Sequence, residues 1–141
     1  MNLISKKSIS IEASVAEVWD ALINPSIIKE WLYGTDTITD WKEGSPIKFL
    51  GEWEGKSYED KGTVLHVAHE KQIRHTYWSS MSGVEDLPQN YAHITYDLEK
   101  DGDQVILTIT QDNIAKEEIK KHSDANWKQV LDKIKELVEK N

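Results

Sequence analysis

Cysteine is absent from the 141-residue chain, and its absence excludes several kinds of chemistry at once. Disulfide bridges, thiolate nucleophiles and cysteine-based zinc sites all require it. Long apolar runs are also missing. The N-terminal stretch MNLISKKSISIEAS has no apolar run long enough for a signal sequence, and no segment is expected to span a bilayer. We therefore expect a cytoplasmic protein without a membrane span.

Basic residues are scarce as well. The 17 lysines and arginines stand against 25 aspartates and glutamates, which gives a formal net charge of -8. Because phosphate binding requires basic patches, this balance argues against nucleic acid and anionic lipid as partners. The five histidines show no spacing typical of a metal site, and neither a glycine-rich phosphate loop nor a G-x-S-x-G motif is present. We expect no metal, no cofactor and no catalytic residue, a pattern that favours a protein other than an enzyme.

Two short helices are predicted near the N-terminus, after a first strand. Ser14 and Glu17 form a capping-box pattern that predicts the start of the first helix. The pair Asn24-Pro25 ends it, because proline is disfavoured inside a helix but tolerated in its first turn. The second helix then begins at this pair and ends at Gly34. Both helices carry a large tryptophan although each has little surface to bury.

The C-terminal segment predicts one long amphipathic helix. Ser123 or Asp124 is expected to cap it, and a shorter helical piece from Ile114 to Lys121 is expected to lead into it. Apolar residues recur there every three or four positions, which is the spacing of a single helix face. This stripe comprises Trp127, Val130, Leu131, Ile134, Leu137 and Val138.

The segment between these helices, from Thr35 to Gln111, alternates with period two and predicts about six strands, the first from Thr35 to Trp41. Short turns join the strands, so the sheet should be antiparallel, with a bulge or bend at Gly62. We expect an α+β fold forming a single domain over residues 1–141. Because a curved sheet does not lie flat on a helix, the space between them must be filled by large side chains or left as a cavity.

Four passages resemble a known family: VWDALINPSIIKEWLYG from Val18, GSPIKF from Gly44, KGTVLHV from Lys61, and NWKQVLDKIKELVE from Asn126. They are similar to the SRPBCC superfamily (START-related, birch-pollen-allergen-like) and, within it, to the AHSA-like branch named after the activator of the 90-kDa heat-shock-protein ATPase. Asn126 departs from that pattern, in which a small residue, often glycine, precedes the tryptophan. The resemblance implies a helix-grip fold with six or seven strands. It leaves the function open, because the fold hosts lipid carriers, cyclases and co-chaperone-like modules.

Aromatic residues are the strongest functional signal, with six Trp and five Tyr but one Phe. Trp and Tyr suit an apolar surface that also forms hydrogen bonds. His75 shares the inward face of its strand with Tyr77, whereas Trp41 and Trp78 are interpreted as outer-face or loop residues. The alternative interpretation is that the aromatics simply fill the core. The predicted ligand-binding residues are Trp31, Phe49, Trp53, His75, Tyr77, Tyr96, Trp127 and Leu131.

Three functions remain open at this stage. The first is a binding module for a small hydrophobic or aromatic molecule, lipid-like or polyketide-like, held between the long helix and the sheet. The second, implied by the resemblance, is a protein-interaction module whose partner is a chaperone or another protein. The third is a cyclase-like or aromatase-like enzyme. We further expect a monomer, and a mobile loop from Ser82 to Asn90 at one mouth of the helix–sheet gap.

Overall fold

Seven antiparallel strands form one curved sheet in the computed structural model, which describes residues 2–80 and 82–140. In chain order the strands are β1 (Leu3–Ile11), β2 (Asp36–Ile38), β3 (Pro46–Trp53), β4 (Lys56–Ala68), β5 (Gln72–Tyr77), β6 (Ala92–Asp101) and β7 (Gln104–Ile114). Across the sheet their order is β1-β7-β6-β5-β4-β3-β2. The helices are α1 (Val15–Ile23), α2 (Pro25–Trp31) and α3 (Glu117–Glu139), with a 3-10 turn at Pro88–Asn90.

The two short helices begin and end as their sequence predicts. The backbone N–H of Glu17 donates to Ser14 Oγ, and the backbone N–H of Ser14 donates to the Glu17 carboxylate, which completes the capping box. Asn24 ends α1, and its side chain accepts a hydrogen bond from the backbone N–H of Ser26 in the first turn of α2. One residue thus caps both helices and fixes the angle between them.

The long helix α3 differs from its predicted form. It is one continuous helix of 23 residues, and β7 extends to Ile114, so no separate helical piece precedes it. Ser123 is buried inside the helix, while Asp124 accepts a hydrogen bond from Ser5 on β1 and pairs with Lys120. Of the two residues expected to cap the helix, Asp124 instead binds it to the sheet, which is why its cap-like chemistry was misleading.

Two details of the sheet also differ from prediction. The predicted strand from Thr35 to Trp41 is paired only over Asp36–Ile38, because the chain turns at Trp41, where φ is 60°. Trp41 lies in this loop as expected, but its ring packs against the core and its indole N–H donates to the carbonyl of Ile23. Its large apolar surface therefore contributes to packing rather than to the outer face.

Gly62 lies at a close approach between β4 and β5. A Cβ atom at this position would lie 1.8 Å from the carbonyl oxygen of Thr76, a distance that no side chain tolerates. The backbone N–H of Thr63 donates to the Thr76 hydroxyl, and the strand register shifts nearby, between Val64 and His66. The predicted irregularity is thus present, and glycine is required because another backbone occupies the space of its side chain.

The core beneath α3 is almost wholly apolar. The helix packs mainly on β1, with additional contacts to β7, α1 and α2. Ile11, Leu107 and Ile134 are fully buried there, and a smaller separate cluster of Ile47, Phe49 and Val64 lies under β3 and β4. None of the helices in the described residues combines the length and the apolar character needed to cross a membrane.

Candidate functional site

Four ring-bearing residues pack together on the inner face of the sheet. We call Phe49, His75, Tyr77 and Tyr96 the aromatic cluster. The ring of Phe49 lies 5.7 Å from those of His75 and Tyr77, and the rings of His75 and Tyr96 stack at 5.9 Å. Three strands, β3, β5 and β6, supply these residues, so the alternation of the sheet brings together what the sequence separates by 47 positions.

His75 is held in one tautomer by its own strand. Its Nδ1 lies 2.7 Å from the carbonyl oxygen of Thr76, and a carbonyl can only accept, so Nδ1 carries the proton. The close approach allowed by Gly62 positions this same carbonyl. Burial lowers the pKa of His75 to about 4, so the ring is neutral at neutral pH. Its other nitrogen, Nε2, is therefore a hydrogen-bond acceptor.

Three side-chain polar atoms near the aromatic cluster form no hydrogen bond within residues 2–80 and 82–140, and one of them, Thr37 Oγ1, is completely enclosed. They are His75 Nε2, the Tyr96 hydroxyl and Thr37 Oγ1. The three residues are 2%, 9% and 6% exposed, respectively, but of the three atoms only Thr37 Oγ1 is itself sealed from solvent. Thr37 lies directly opposite Phe49 in the β2–β3 pair, which places it beside the cluster. We call these three atoms the unpaired polar set.

Tyr77, by contrast, is fully paired. Its hydroxyl donates to Asp60 Oδ2 at 2.6 Å, while Asp60 Oδ1 accepts from the backbone N–H of Ser80 at 3.0 Å. Burial and the Asp60 carboxylate both raise the pKa of Tyr77 well above its ordinary value. This buried network joins the end of β5 to β4 and fixes the start of the following loop, so we regard it as a support for the aromatic cluster.

The three other predicted residues that lie inside the protein are Trp31, Trp127 and Leu131, which are all buried. The indole N–H of Trp31 donates to the carbonyl of Ala21, and that of Trp127 donates to Gln111 Oε1, each at 2.8 Å. Both indoles are therefore satisfied by the protein itself. Trp31 locks α2 onto α1, and Trp127 joins α3 to the inner face of β7.

Trp53 lies outside the interior. Its side chain is 57% exposed at the end of the β3–β4 hairpin, where it pairs with Lys56. The alternation of β3 continues to this position, but the side chain is exposed to solvent there. Tyr58 crosses over Gly51 and bonds to Thr35, which closes the interior before Trp53 is reached. The expectation that Trp53 faces the helix–sheet gap is therefore wrong.

Two open grooves mark the surface of the described chain. One, of about 340 Å³, runs between α2 and α3 and includes Trp31 and Tyr33. The other, of about 430 Å³, includes Lys61, Thr76 and Asp86. In this second groove the predicted mobile loop packs on the outer face of β4 and β5, through the Lys61–Asp86 ion pair, so its expected place at the mouth of the gap is wrong.

Comparisons with known proteins agree with this architecture. The family model described as "Activator of Hsp90 ATPase homolog 1-like protein" matches residues 12–139. The chain belongs to this family. No curated protein matches the chain. The AHSA-like branch and the helix-grip fold predicted from the sequence are therefore confirmed.

Solved structures show how widely this AHSA1-like fold is shared. ChR145 from Cytophaga hutchinsonii is 42% identical, with a TM-score of 0.86, and the match covers 98% of this chain and 94% of that one. The Aha1 dimer from Colwellia psychrerythraea is 19% identical, with a TM-score of 0.76 and 96% of both chains covered. DynU16, a putative protein of the dynemicin biosynthetic locus, is 15% identical, with a TM-score of 0.80 over 96% of this chain and 47% of its own. The last two show the fold alone, and the monomeric state of this chain stays a prediction.

Thr37 and Asp60 are the residues of this AHSA1-like site that sequence reasoning missed. Thr37 alternates with Thr35 and Thr39 along the segment that contains the short edge strand β2, which is a signal that one threonine face points inward. Asp60 is a carboxylate in a strand, where acidic residues are uncommon, and that rarity was the available signal. Neither signal indicates a binding role without the rings that surround the two side chains.

Proposed function

We propose that this chain binds a small, largely apolar molecule against the aromatic cluster, on the inner face of the sheet. The observation that supports this proposal is the unpaired polar set. A buried polar atom without a partner costs about 1–3 kcal/mol, and folded proteins leave few of them. One enclosed atom of this kind, with two further unpaired polar atoms near it, supports a partner that comes from outside the chain.

The register of the sheet supports a proposed size for the ligand. His75 pairs with Ile94, and Ile94 pairs with Gln111, so these three residues form one row across β5, β6 and β7. Trp127 bonds to Gln111 at the end of this row. Neighbouring strands are about 4.8 Å apart, so the row spans roughly 10 Å. That length suits a ligand of two fused rings lying between His75 and Trp127.

The protonation states of the site support binding rather than proton-transfer catalysis. His75 has a pKa of about 4, and burial raises the pKa of Tyr96 far above its ordinary value. An efficient acid or base has a pKa near the working pH, and neither group does. Both can form hydrogen bonds at neutral pH without exchanging their protons. We therefore favour a binding protein over a cyclase-like or aromatase-like enzyme.

The test is a titration with aromatic probes of increasing size, from naphthalene to a steroid, followed by tryptophan fluorescence and thermal melting. We expect saturable binding with a rise in Tm for two-ring probes, because a ligand that binds only the folded state stabilises it. Trp53→Ser serves as the matched control, since Trp53 lies outside the interior. A protein whose fluorescence and Tm respond to none of the probes would contradict the proposal.

A second candidate function rests on exposed apolar residues at one edge of the sheet. Ile38 is 54% exposed on the short edge strand β2, and Trp53 is 57% exposed at the end of the neighbouring β3. Exposed apolar residues at one edge are typical of a protein-interaction site. If the chain activates a chaperone ATPase, Trp53→Ser should reduce the stimulation of a 90-kDa heat-shock chaperone. Full stimulation by that variant would remove this candidate.

A further inference from the structure

We propose that the ligand is uncharged and carries a phenolic or enolic hydroxyl group that donates a hydrogen bond to His75 Nε2. This inference rests on the ligand site proposed above. A carboxylate of the same size and shape is rejected. This ligand class is supported by the tautomer of His75, by its buried neighbours and by the charges around them.

The tautomer decides the direction of the hydrogen bond. Nδ1 donates to the Thr76 carbonyl, so Nε2 holds a lone pair and no proton. A ligand atom that satisfies Nε2 must therefore be a donor. Ketones, ethers and carboxylates offer only acceptors there, whereas a hydroxyl offers a proton.

The neighbouring groups favour a hydroxyl over an amine. Tyr96 stacks on His75, and its hydroxyl is itself without a partner in the described chain. Thr37 Oγ1 adds a second hydroxyl that can donate or accept. A ligand hydroxyl both donates and accepts, so it can satisfy His75 while receiving a hydrogen bond from one of these groups. An alkyl ammonium only donates, and it carries a charge that a dry site disfavours.

The charges around the site exclude an anion. Among the described residues no lysine or arginine is buried, and the one buried carboxylate, Asp60, lies next to the cluster through its bond to Tyr77. A ligand carboxylate would lose its water, gain no cation and approach an acidic group. Burial of an unpaired charge is far more costly than burial of a neutral polar group.

The test compares naphthalene, 2-naphthol and 2-naphthoate, which share one ring system, by calorimetric titration of the full chain at pH 7. We expect 2-naphthol to bind about 3- to 10-fold more tightly than naphthalene, the gain of one ordinary hydrogen bond. We expect 2-naphthoate to bind more weakly than naphthalene. If naphthalene and 2-naphthol bind equally, or 2-naphthoate binds best, this inference fails while the proposed function stands. If none of the three binds, both fail.

Two further readouts separate recognition from general packing. The 15N resonance of His75 Nε2 should move when 2-naphthol binds and should stay in place with naphthalene, because only the phenol donates to it. Tyr96→Phe keeps the ring and removes the unpaired hydroxyl, so it should reduce the preference for 2-naphthol by about half or more. Tyr91→Phe removes a hydroxyl that bonds to Asp86 on the other side of the sheet, and it should leave the preference unchanged. Binding of 2-naphthol without movement of the His75 resonance would overturn the inference.

Discussion

The interior of this protein has two halves that share one sheet and differ in chemistry. Beneath α3, between β1 and β7, the buried side chains are almost all aliphatic, and Ile11, Leu107 and Ile134 are completely enclosed. Beyond the helix, on β2 to β6, the buried side chains include Thr37, Asp60 and His75 together with the ring of Tyr96. The same period-two alternation produced both halves, so the pattern alone does not separate a core from a site.

The two halves of the interior differ in chemistry because different elements cover them. The aliphatic half is pressed against a helix of 23 residues that supplies a matching apolar stripe. The other half has hardly any contact with that helix, and its polar atoms are only partly satisfied by the chain itself. The aliphatic half therefore supplies most of the stability, while the polar half retains the capacity to bind something else. The predictions below test this division.

The largest effect is expected from truncation in the aliphatic half. Leu107→Ala should lower the free energy of unfolding by about 2–5 kcal/mol, because a buried leucine leaves a cavity that its neighbours fill only in part. Urea denaturation measures this loss. The variant should keep the wild-type preference among the naphthalene probes while it remains folded, and a changed preference would show that the two halves are not separate.

The next largest effect is the pH dependence that His75 confers. Its folded pKa of about 4 lies below the ordinary value of 6.5, so the unfolded chain binds the proton more readily between these values. Stability should therefore be complete above pH 6.5 and fall by about 3 kcal/mol as the pH drops to about 4. Urea unfolding at several pH values across this window measures the slope.

His75→Phe is the control for that slope. The titratable groups around His75 are Tyr77 and Tyr96, which stay protonated throughout, and Asp60, which bonds to Tyr77. The variant should therefore show a nearly flat stability profile from pH 6.5 to 4.5. Asp124, whose pKa is lowered by its bond to Ser5, acts below this window. An equal slope in the variant and the wild type would show that His75 is not the source.

A smaller effect of opposite sign is expected at Thr37. Thr37→Val keeps the shape of the side chain and removes a buried hydroxyl without a partner, so it should raise the free energy of unfolding by about 1 kcal/mol. Thr35→Val is the matched variant on the same edge of the sheet. The Thr35 hydroxyl bonds to that of Tyr58, so its removal should lower stability by a similar amount. Thermal melts that show a loss in both variants would mean that Thr37 is satisfied in solution.

The smallest effect is expected at Trp53. Its side chain is mostly exposed, so Trp53→Ser should change the free energy of unfolding by less than about 0.5 kcal/mol. Trp127→Phe, which removes a buried indole N–H that bonds to Gln111, should cost more. If Trp53→Ser proved the more destabilising of the two in chemical denaturation, the assignment of Trp53 to the outside of the interior would be wrong.

Most of the fold could be predicted from the sequence because its signals are local. The capping box at Ser14, the break at Asn24-Pro25 and the stripe of the last helix each depend on a few neighbouring residues. The helix start was misplaced because Asp124 has the chemistry of a cap, while its actual partner, Ser5, is 119 positions away.

The site was predicted less completely, because its properties depend on what lies opposite each side chain. The alternation correctly placed Phe49 and His75 on the inner face of the sheet, but it also placed Trp53 there. The structure shows instead that Trp53 is exposed at the end of its hairpin. Whether Thr37 has a hydrogen-bond partner depends on the positions of all the atoms around it, and among the described residues it has none. No pattern within β2 contains this information.

The loop that follows the Asp60 network is fixed at both of its ends. Ser80 bonds to Asp60 at one end, and the Asn113 side chain donates to the carbonyls of Gln89 and Tyr91 at the other. Between them Gly83 has a φ of 81° and open space around it. Each doubling of the length of a flexible loop costs only about 0.6 kcal/mol. Gly83 is therefore a suitable point at which to insert a reporter domain, which would turn the protein into a host for a biosensor without disturbing the sheet.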